Sequence, residues 1–96
     1  FWLNVSWEEQ RNRFLRRIDI PEKNWKFSSG DVRERGHWDE YMAAYEAMLN
    51  ATSRSSAPWY AIPADDKPFM RVTVTDLLCR TLRSLGLSYP DPTEEP

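Results

Sequence analysis

The spacing of apolar residues along the chain predicts two short strands and three helices. Residues 1–5 and 59–63 are runs of aromatic and branched side chains, which are typical of buried strands. Elsewhere, apolar residues recur at intervals of three and four, as on one face of an amphipathic helix. The predicted order is strand, helix, helix, strand, helix. Because a long helical crossover joins the two strands, we expect them to pair in parallel.

The first two helices have clear start signals. Ser6 is followed three residues later by Glu9, a capping box that predicts a helix ending near residue 19. We expect residues 20–28 to form a loop. A second helix, capped by Ser28 or Ser29, is predicted to reach about residue 51. Gly36 lies inside it and indicates a bend or a close approach there.

The last helix is predicted over residues 69–85 and should stop at Gly86. Its cap is either Asp65 or Asp66. These acids also follow directly after a predicted parallel strand, where ligand crevices of α/β sheets form, so a ligand role and a capping role both stay open. Residues 87–96 are polar and rich in proline, and we expect a disordered tail there.

Positive charge is concentrated in one part of an acidic chain. The 96 residues carry a net charge of −2, which does not indicate a nucleic-acid-binding protein. Residues 11–35, however, contain eight Lys and Arg side chains and only four acidic ones. A local cationic zone of this kind indicates a localised anionic ligand.

These cations have two interpretations. Arg13 and Arg17 lie four residues apart and so share one helix face. They belong either to a solvated face balanced by nearby acids or to a clamp whose guanidinium groups hold phosphate oxygens. The same charge continues along the chain with Lys23, Lys26, Arg33 and Arg35.

Several other kinds of site are not indicated. Cys79 is the only cysteine, which excludes an internal disulfide and fits a cytoplasmic protein, and we expect it to pack in the core. His37 is the only histidine, so a metal site is not expected. No apolar run is long enough to span a bilayer, and we expect neither a membrane nor a nucleic acid as partner.

Four motifs together resemble the C-terminal part of the polyphosphate kinase 2 family. They are EEQ..RF..R, PEKNWKFS, D..ER..WD.Y..AYE and APWY.IPAD.K, in that order. Their order and spacing cover nearly everything from residue 1 to about residue 85. The resemblance implies an α/β fold, the C-terminal portion of a P-loop kinase-like parallel sheet. A helical lid would occupy residues 6–51, and the last strand and helix residues 59–86.

The resemblance also implies an enzyme and its ligands. The family transfers the terminal phosphate between inorganic polyphosphate and a nucleotide (ADP, GDP or AMP) with Mg²⁺, and a homo-oligomeric parent protein is expected. The candidates for contacting phosphates are Arg13, Arg17, Lys23, Lys26, Arg33 and Arg35. The candidates for the base side of the nucleotide pocket are Ala64, Asp65, Asp66 and Lys67.

The sequence departs from the family pattern in ways that bear on activity. The phosphate-cradling glycine loop and the magnesium-binding aspartate are expected before Phe1, so we name no catalytic residue or metal ligand and expect these residues alone to be inactive. Pro68 replaces a usual aromatic residue, and Met42 replaces a common polar one. Two alternatives stay open: a non-catalytic truncated fragment or assembly module, and the lid region of another P-loop nucleotide kinase.

Overall fold

The two strands pair in parallel, which confirms the prediction made from the long crossover between them. β1 (Trp2–Asn4) and β2 (Ala61–Pro63) form a two-stranded sheet in the computed structural model, which describes residues 1–93. The register places Trp2 opposite Ala61, Leu3 opposite Ile62 and Asn4 opposite Pro63. Each strand is three residues long, shorter than predicted.

The first helix, α1 (Trp7–Asp19), begins where its capping signal predicts. The Ser6 hydroxyl oxygen accepts a hydrogen bond from the backbone N–H of Glu9 at 3.1 Å. The prediction of a loop after α1 was wrong, because Pro21–Lys26 forms a 3₁₀ helix. Proline at its first position supplies a φ angle that suits a helical turn and lacks an N–H that would need a partner there.

The second predicted helix is in fact two helices, α2 (Ser29–Arg35) and α3 (Trp38–Thr52). Ser28 caps α2, and its hydroxyl oxygen accepts a backbone N–H from the first turn at 3.2 Å. The N–H groups of Gly36 and His37 each bond to a carbonyl three residues earlier, a 3₁₀ pattern that closes α2. The sequence indicated only a bend or a close approach at Gly36, because the apolar spacing continues through the break.

The last helix, α4 (Lys67–Ser84), begins after Asp66, whose carboxylate accepts the N–H of the third helical residue at 3.1 Å. Past its end, Gly86 has a φ of 62°, the left-handed conformation that commonly follows a helix. Residues 87–93 form no further helix or strand. The rest of the predicted tail, residues 94–96, lies outside the described residues.

Few side chains of the described residues are buried. Within residues 1–93 the only buried hydrophobic side chains are Ile62 and Ala64, at 4% and 2% exposure. The prediction of two buried strands was wrong for β1, which is half-buried to exposed, and in β2 only Ile62 is buried. Cys79 is exposed as well. The reason is that no third strand flanks the sheet in this part of the chain. The described helices include none that is long and apolar enough to cross a membrane.

Candidate functional site

Two of the candidate segments, α1 and the turn after β2, start from the same edge of the sheet. Because the strands are parallel, both carboxyl ends lie at the same edge, the position where ligands bind in α/β sheets. From that edge, β1 leads through Ser6 into α1, and β2 leads through residues 64–66 into α4. The start of α1 and the turn after β2 are therefore neighbours.

Hydrogen bonds join these two neighbours directly. Asp65 Oδ1 accepts the backbone N–H of Ser6 at 2.6 Å. Arg13 Nη2 donates to the backbone carbonyls of Ala64, at 2.9 Å, and Asp65, at 3.2 Å. We call these contacts among Ser6, Arg13, Ala64 and Asp65 the root clamp, since they lie where α1 leaves the sheet. Hydrogen bonding by Ser6 lowers the pKa of Asp65, and the nearby charge of Arg13 lowers it further.

Three of the four turn residues predicted to bind nucleotide use their polar groups within the protein. Ala64 is buried, and its N–H and C=O are hydrogen-bonded to β1 and α1 respectively. The carboxylate of Asp65 belongs to the root clamp, and that of Asp66 caps α4. Within residues 1–93, the Lys67 side chain has no hydrogen bond or ion pair. The capping interpretation of Asp66 is confirmed, and the nucleotide role of the turn stays a prediction.

The two candidate arginines of α1 have different surroundings. Arg13, besides its part in the root clamp, donates from Nε to Glu9 Oε1 at 3.2 Å. Arg17 lies with Nη1 3.8 Å from Asp31 Oδ2 on α2, too long for a hydrogen bond. The Arg13 guanidinium is therefore held by several internal acceptors, whereas that of Arg17 has one weak ionic partner.

The 3₁₀ helix carries the two candidate lysines beside an exposed aromatic ring. Asn24 Nδ2 donates to two carbonyls in the last turn of α1, both at 2.7 Å, and so attaches the 3₁₀ helix to α1. Lys26 Nζ lies 5.2 Å from the ring centre of Trp25, which is 79% exposed. Lys23 has no side-chain hydrogen bond or ion pair with the described residues.

Arg33 and Arg35 occupy the last turn of α2, where positive charge is favoured by the helix dipole. The guanidinium carbon of Arg35 lies 4.0 Å from the ring centre of Trp7, a cation–π contact. Its Nη1 is buried and has no hydrogen-bond partner in the described part of the chain. Over the same residues, Arg33 forms no side-chain hydrogen bond or ion pair.

A cavity of about 370 Å³ lies between β1, α1, α2 and α3. Aromatic rings form part of its wall, including Trp2 and Tyr45, whose ring centres are 4.2 Å apart. Glu34 and Arg35 add opposite charges. The Tyr41 hydroxyl donates to Glu34 Oε2 at 2.6 Å, and this bond together with the carboxylate charge raises the pKa of Tyr41.

The six candidate cations do not line this cavity together, since only Arg35 contributes to it. They lie instead along one continuous stretch from α1 through the 3₁₀ helix to α2. Gln10 was not among the predicted site residues, but it lines the cavity with a buried Oε1 that has no partner within residues 1–93. Its place in the motif EEQ..RF..R is the signal in the sequence that could have indicated it.

The described residues do not form a metal centre. Within residues 1–93, no group of three or more His, Cys, Asp or Glu side chains is placed to hold an ion. A Mg²⁺ site needs several oxygen ligands around one point. We therefore assign no chemical step on this chain to a bound metal.

The parallel sheet and the helices that follow its two strands define part of an α/β protein. The chain belongs to the polyphosphate kinase 2 family, because the model of that family, described as Polyphosphate kinase 2, matches residues 1–87. The family resemblance of the four sequence motifs is thereby confirmed.

Relatives and a solved structure support the same family. The chain is 55% identical over 93 residues to an ADP-polyphosphate phosphotransferase of Rhodopseudomonas palustris, covering 97% of this chain and 32% of that protein. It is 60% identical over 94 residues to an uncharacterized protein of Leptolyngbya boryana, covering 98% of this chain and 69% of that protein. The crystal structure of Polyphosphate Kinase 2 from Arthrobacter aurescens TC1 matches with a TM-score of 0.88 and 42% identity.

The likeness to the solved structure covers 97% of this chain and 33% of that chain. It confirms the prediction of a mixed α/β fold with a parallel sheet. The chain thus spans about a third of the length of the phosphotransferase and of the solved kinase that it matches.

Proposed function

We propose that the protein carrying this chain transfers phosphate between inorganic polyphosphate and a nucleotide. Support comes from relatives that match at least 95% of the chain. Besides the ADP-polyphosphate phosphotransferase at 55% identity, these are an AMP/ADP-polyphosphate phosphotransferase of Meiothermus ruber at 46% and a GDP-polyphosphate phosphotransferase of Pseudomonas aeruginosa at 42%. The acceptor is accordingly a nucleoside mono- or diphosphate. Mg²⁺ would be held mainly by residues outside this chain.

In this proposal, residues 6–51 act as a lid whose cations meet the phosphates. Both the donor and the acceptor of the transferred group are strongly anionic, so phosphoryl transfer depends on positioning and charge stabilisation. The lid cations proposed to contact phosphates are Arg17, Lys23, Lys26, Arg33 and Arg35. Of these, only Arg17 has an ionic partner in residues 1–93, and its ion pair is long enough for a phosphate to replace.

The two kinds of cation contribute differently. Each guanidinium offers a planar fork that can hold two oxygens of one phosphate, which orients that phosphate as well as neutralising it. Lys23 and Lys26 are compact point charges on the 3₁₀ helix, and they extend the positive potential past the end of α1. These side chains bind, orient and neutralise phosphates, and no proton transfer is assigned to them.

On the nucleotide side, Lys67 is the turn residue proposed to contact the ligand. Its ammonium group has no partner in the described residues, whereas the carboxylates of Asp65 and Asp66 are engaged in hydrogen bonds. We further propose a cytoplasmic protein that assembles as a homo-oligomer, with neither nucleic acid nor membrane as partner. Exposed apolar side chains on α4, such as Phe69 and Leu82, both at 54% exposure, support burial against further protein.

The proposal is tested with the full-length gene product. The purified protein is incubated with polyphosphate, Mg²⁺ and ADP, GDP or AMP in turn, and nucleotides are separated by ion-exchange chromatography. We expect a phosphorylated nucleotide that forms only when polyphosphate is present. The 96-residue chain alone serves as the control and should form none. A folded full-length protein that phosphorylates none of the three acceptors would overturn the proposal.

A second candidate function is a non-catalytic binding or assembly module. The relative from Leptolyngbya boryana favours it, because 94 aligned residues already make up 69% of that protein. The gene sequence upstream of Phe1 separates the two candidates. A glycine-rich phosphate loop and an aspartate at a strand end favour the enzyme, and a start codon directly before Phe1 favours the module.

A further inference from the structure

We propose that Arg13 and Asp65 are positioning residues that set the direction in which the lid leaves the sheet. The inference rests on the proposed function, because it concerns how the cation-bearing helices are held over the phosphates. It assigns neither residue to phosphate or nucleotide binding.

The hydrogen bonds of Arg13 support a positioning role. Nε donates to Glu9, and Nη2 donates to the carbonyls of Ala64 and Asp65, so three of the five N–H donors are used internally. The Nε and Nη2 groups together form one of the edges with which a guanidinium holds a phosphate in a forked geometry. In Arg13 that edge is already occupied.

The acceptors of Arg13 also explain why this position carries an arginine. Ala64 is 2% exposed and continues the sheet, since its N–H donates to the carbonyl of Asn4 at 2.8 Å. Its own carbonyl, at the end of β2, would have little access to water without Arg13, and a buried carbonyl without a partner is destabilising. A planar guanidinium reaches two successive carbonyls, whereas a lysine ammonium lacks that fixed fork.

The root clamp attaches α1 to the turn after β2 at two points, and this fixes the direction of the helix axis. Ser6, just before the helix, donates to Asp65, and Arg13 bonds to the same turn from seven residues further on. Seven residues correspond to about 10 Å along a helix. One point of attachment would leave α1 free to pivot, but two points separated along the axis resist pivoting.

A small change in that direction has a large effect at the far end of α1. The helix has 13 residues and is therefore about 20 Å long. A rotation of about 10° at its root would move its last turn by about 3 Å, given that length. The 3₁₀ helix with Lys23 and Lys26 is attached to that last turn, so the root clamp determines where these cations lie.

Kinetics of the full-length gene product test the proposal first. The variants are Arg13→Lys, Asp65→Ala and the double variant, with Arg11→Lys as a matched control, since the Arg11 side chain forms no hydrogen bond or ion pair in residues 1–93. We expect each single variant to lower kcat at least about tenfold, as misplacement of catalytic groups does, with little change in the KM for polyphosphate. The double variant should be hardly worse than either single one. The proposal would be overturned by a normal kcat with a raised KM in the Asp65 variant. A kcat close to that of the unsubstituted protein in Arg13→Lys would overturn it as well.

A distance measurement tests the lid direction without any enzymatic turnover. Spin labels are attached to Cys79 on α4 and to Glu22→Cys on the 3₁₀ helix, after other cysteines of the gene product are replaced by serine. Pulsed electron paramagnetic resonance should give one narrow distance distribution in the protein without these substitutions. The distribution should become at least about twofold wider in the Arg13→Lys and Asp65→Ala variants, because α1 can then pivot, and should keep its width in Arg11→Lys. If the full-length protein without substitutions transfers no phosphate, the proposed function is wrong. The distance measurement alone then tests the positioning role of Arg13 and Asp65. Unchanged widths in both variants would overturn it.

Discussion

Removal of one side-chain amide tests how the two lysines are held in place. Asn24 Nδ2 donates to the carbonyls of Arg17 and Ile18, both at 2.7 Å, at the end of α1. These carbonyls belong to the last turn, where helical acceptors lack intrahelical partners. Asn24→Ala removes both hydrogen bonds while leaving the backbone sequence of the 3₁₀ helix otherwise intact.

The expected magnitude follows from two hydrogen bonds at an exposed position. Each contributes about 1 kcal/mol net, and water partly replaces the lost donor at the surface, so we expect about 1.4 kcal/mol in total. This free energy applies to local opening of the 3₁₀ helix, because that segment rests on the end of α1 and is otherwise exposed. It corresponds to an increase of about tenfold in the population of the open form.

Amide hydrogen exchange followed by nuclear magnetic resonance measures this opening. The N–H groups of Lys23 and Phe27, which bond to carbonyls within the 3₁₀ turn, report on it. Asn12→Ala is the control, because Asn12 is an exposed asparagine of α1 without a side-chain hydrogen bond in the described residues. Exchange of both reporters should accelerate about tenfold in Asn24→Ala alone. Unchanged exchange, or an equal acceleration in the control, would refute the assignment of Asn24 as the attachment.

Three further predictions concern single side chains. Asp66→Ala removes the cap of α4 and should lower the free energy of unfolding by about 1 kcal/mol, measured by denaturant titration. Asp66→Asn should retain most of the stability that the cap contributes, because the amide oxygen can still accept the N–H. The pKa of Asp65 is lower in the folded protein than in the unfolded chain, so the ionised carboxylate stabilises the fold. This stabilisation is complete above the unfolded pKa of about 3.9 and is lost as the pH falls through the lower pKa of the folded state. Asp65→Asn should remove that acid-dependent loss, so an unchanged pH profile of stability would contradict it. In the full-length protein, Lys26→Ala should raise the KM for polyphosphate while changing stability by less than about 0.5 kcal/mol; early melting with normal turnover would mean that Lys26 is structural.

Features that depend on neighbouring residues were predicted well from the sequence. Ser6 and Asp66 cap their helices because a cap forms between a side chain and an N–H only three residues away. Gly86 follows α4 because the left-handed conformation there favours glycine. The parallel pairing followed from the length of the crossover between the strands.

Features that depend on distant contacts were not predictable in the same way. Arg13 and Arg17 share a helix face, and nothing local distinguishes the one that binds a carbonyl 51 residues away from the one that faces α2. Gly36 indicated a bend or a close approach but not two separate helices, because apolar spacing alone does not reveal a change of hydrogen-bond pattern. The exposure of Cys79 was missed because burial depends on which other segments cover a helix face, and α4 is largely uncovered in the described residues.

The most direct test of the lid proposal is amide hydrogen exchange of the full-length protein with and without polyphosphate. If the lid cations bind phosphates, added polyphosphate should slow exchange across residues 21–35, which include Lys23, Lys26, Arg33 and Arg35, and leave residues 70–84 of α4 unchanged. Unaltered exchange across residues 21–35 at saturating polyphosphate would contradict it.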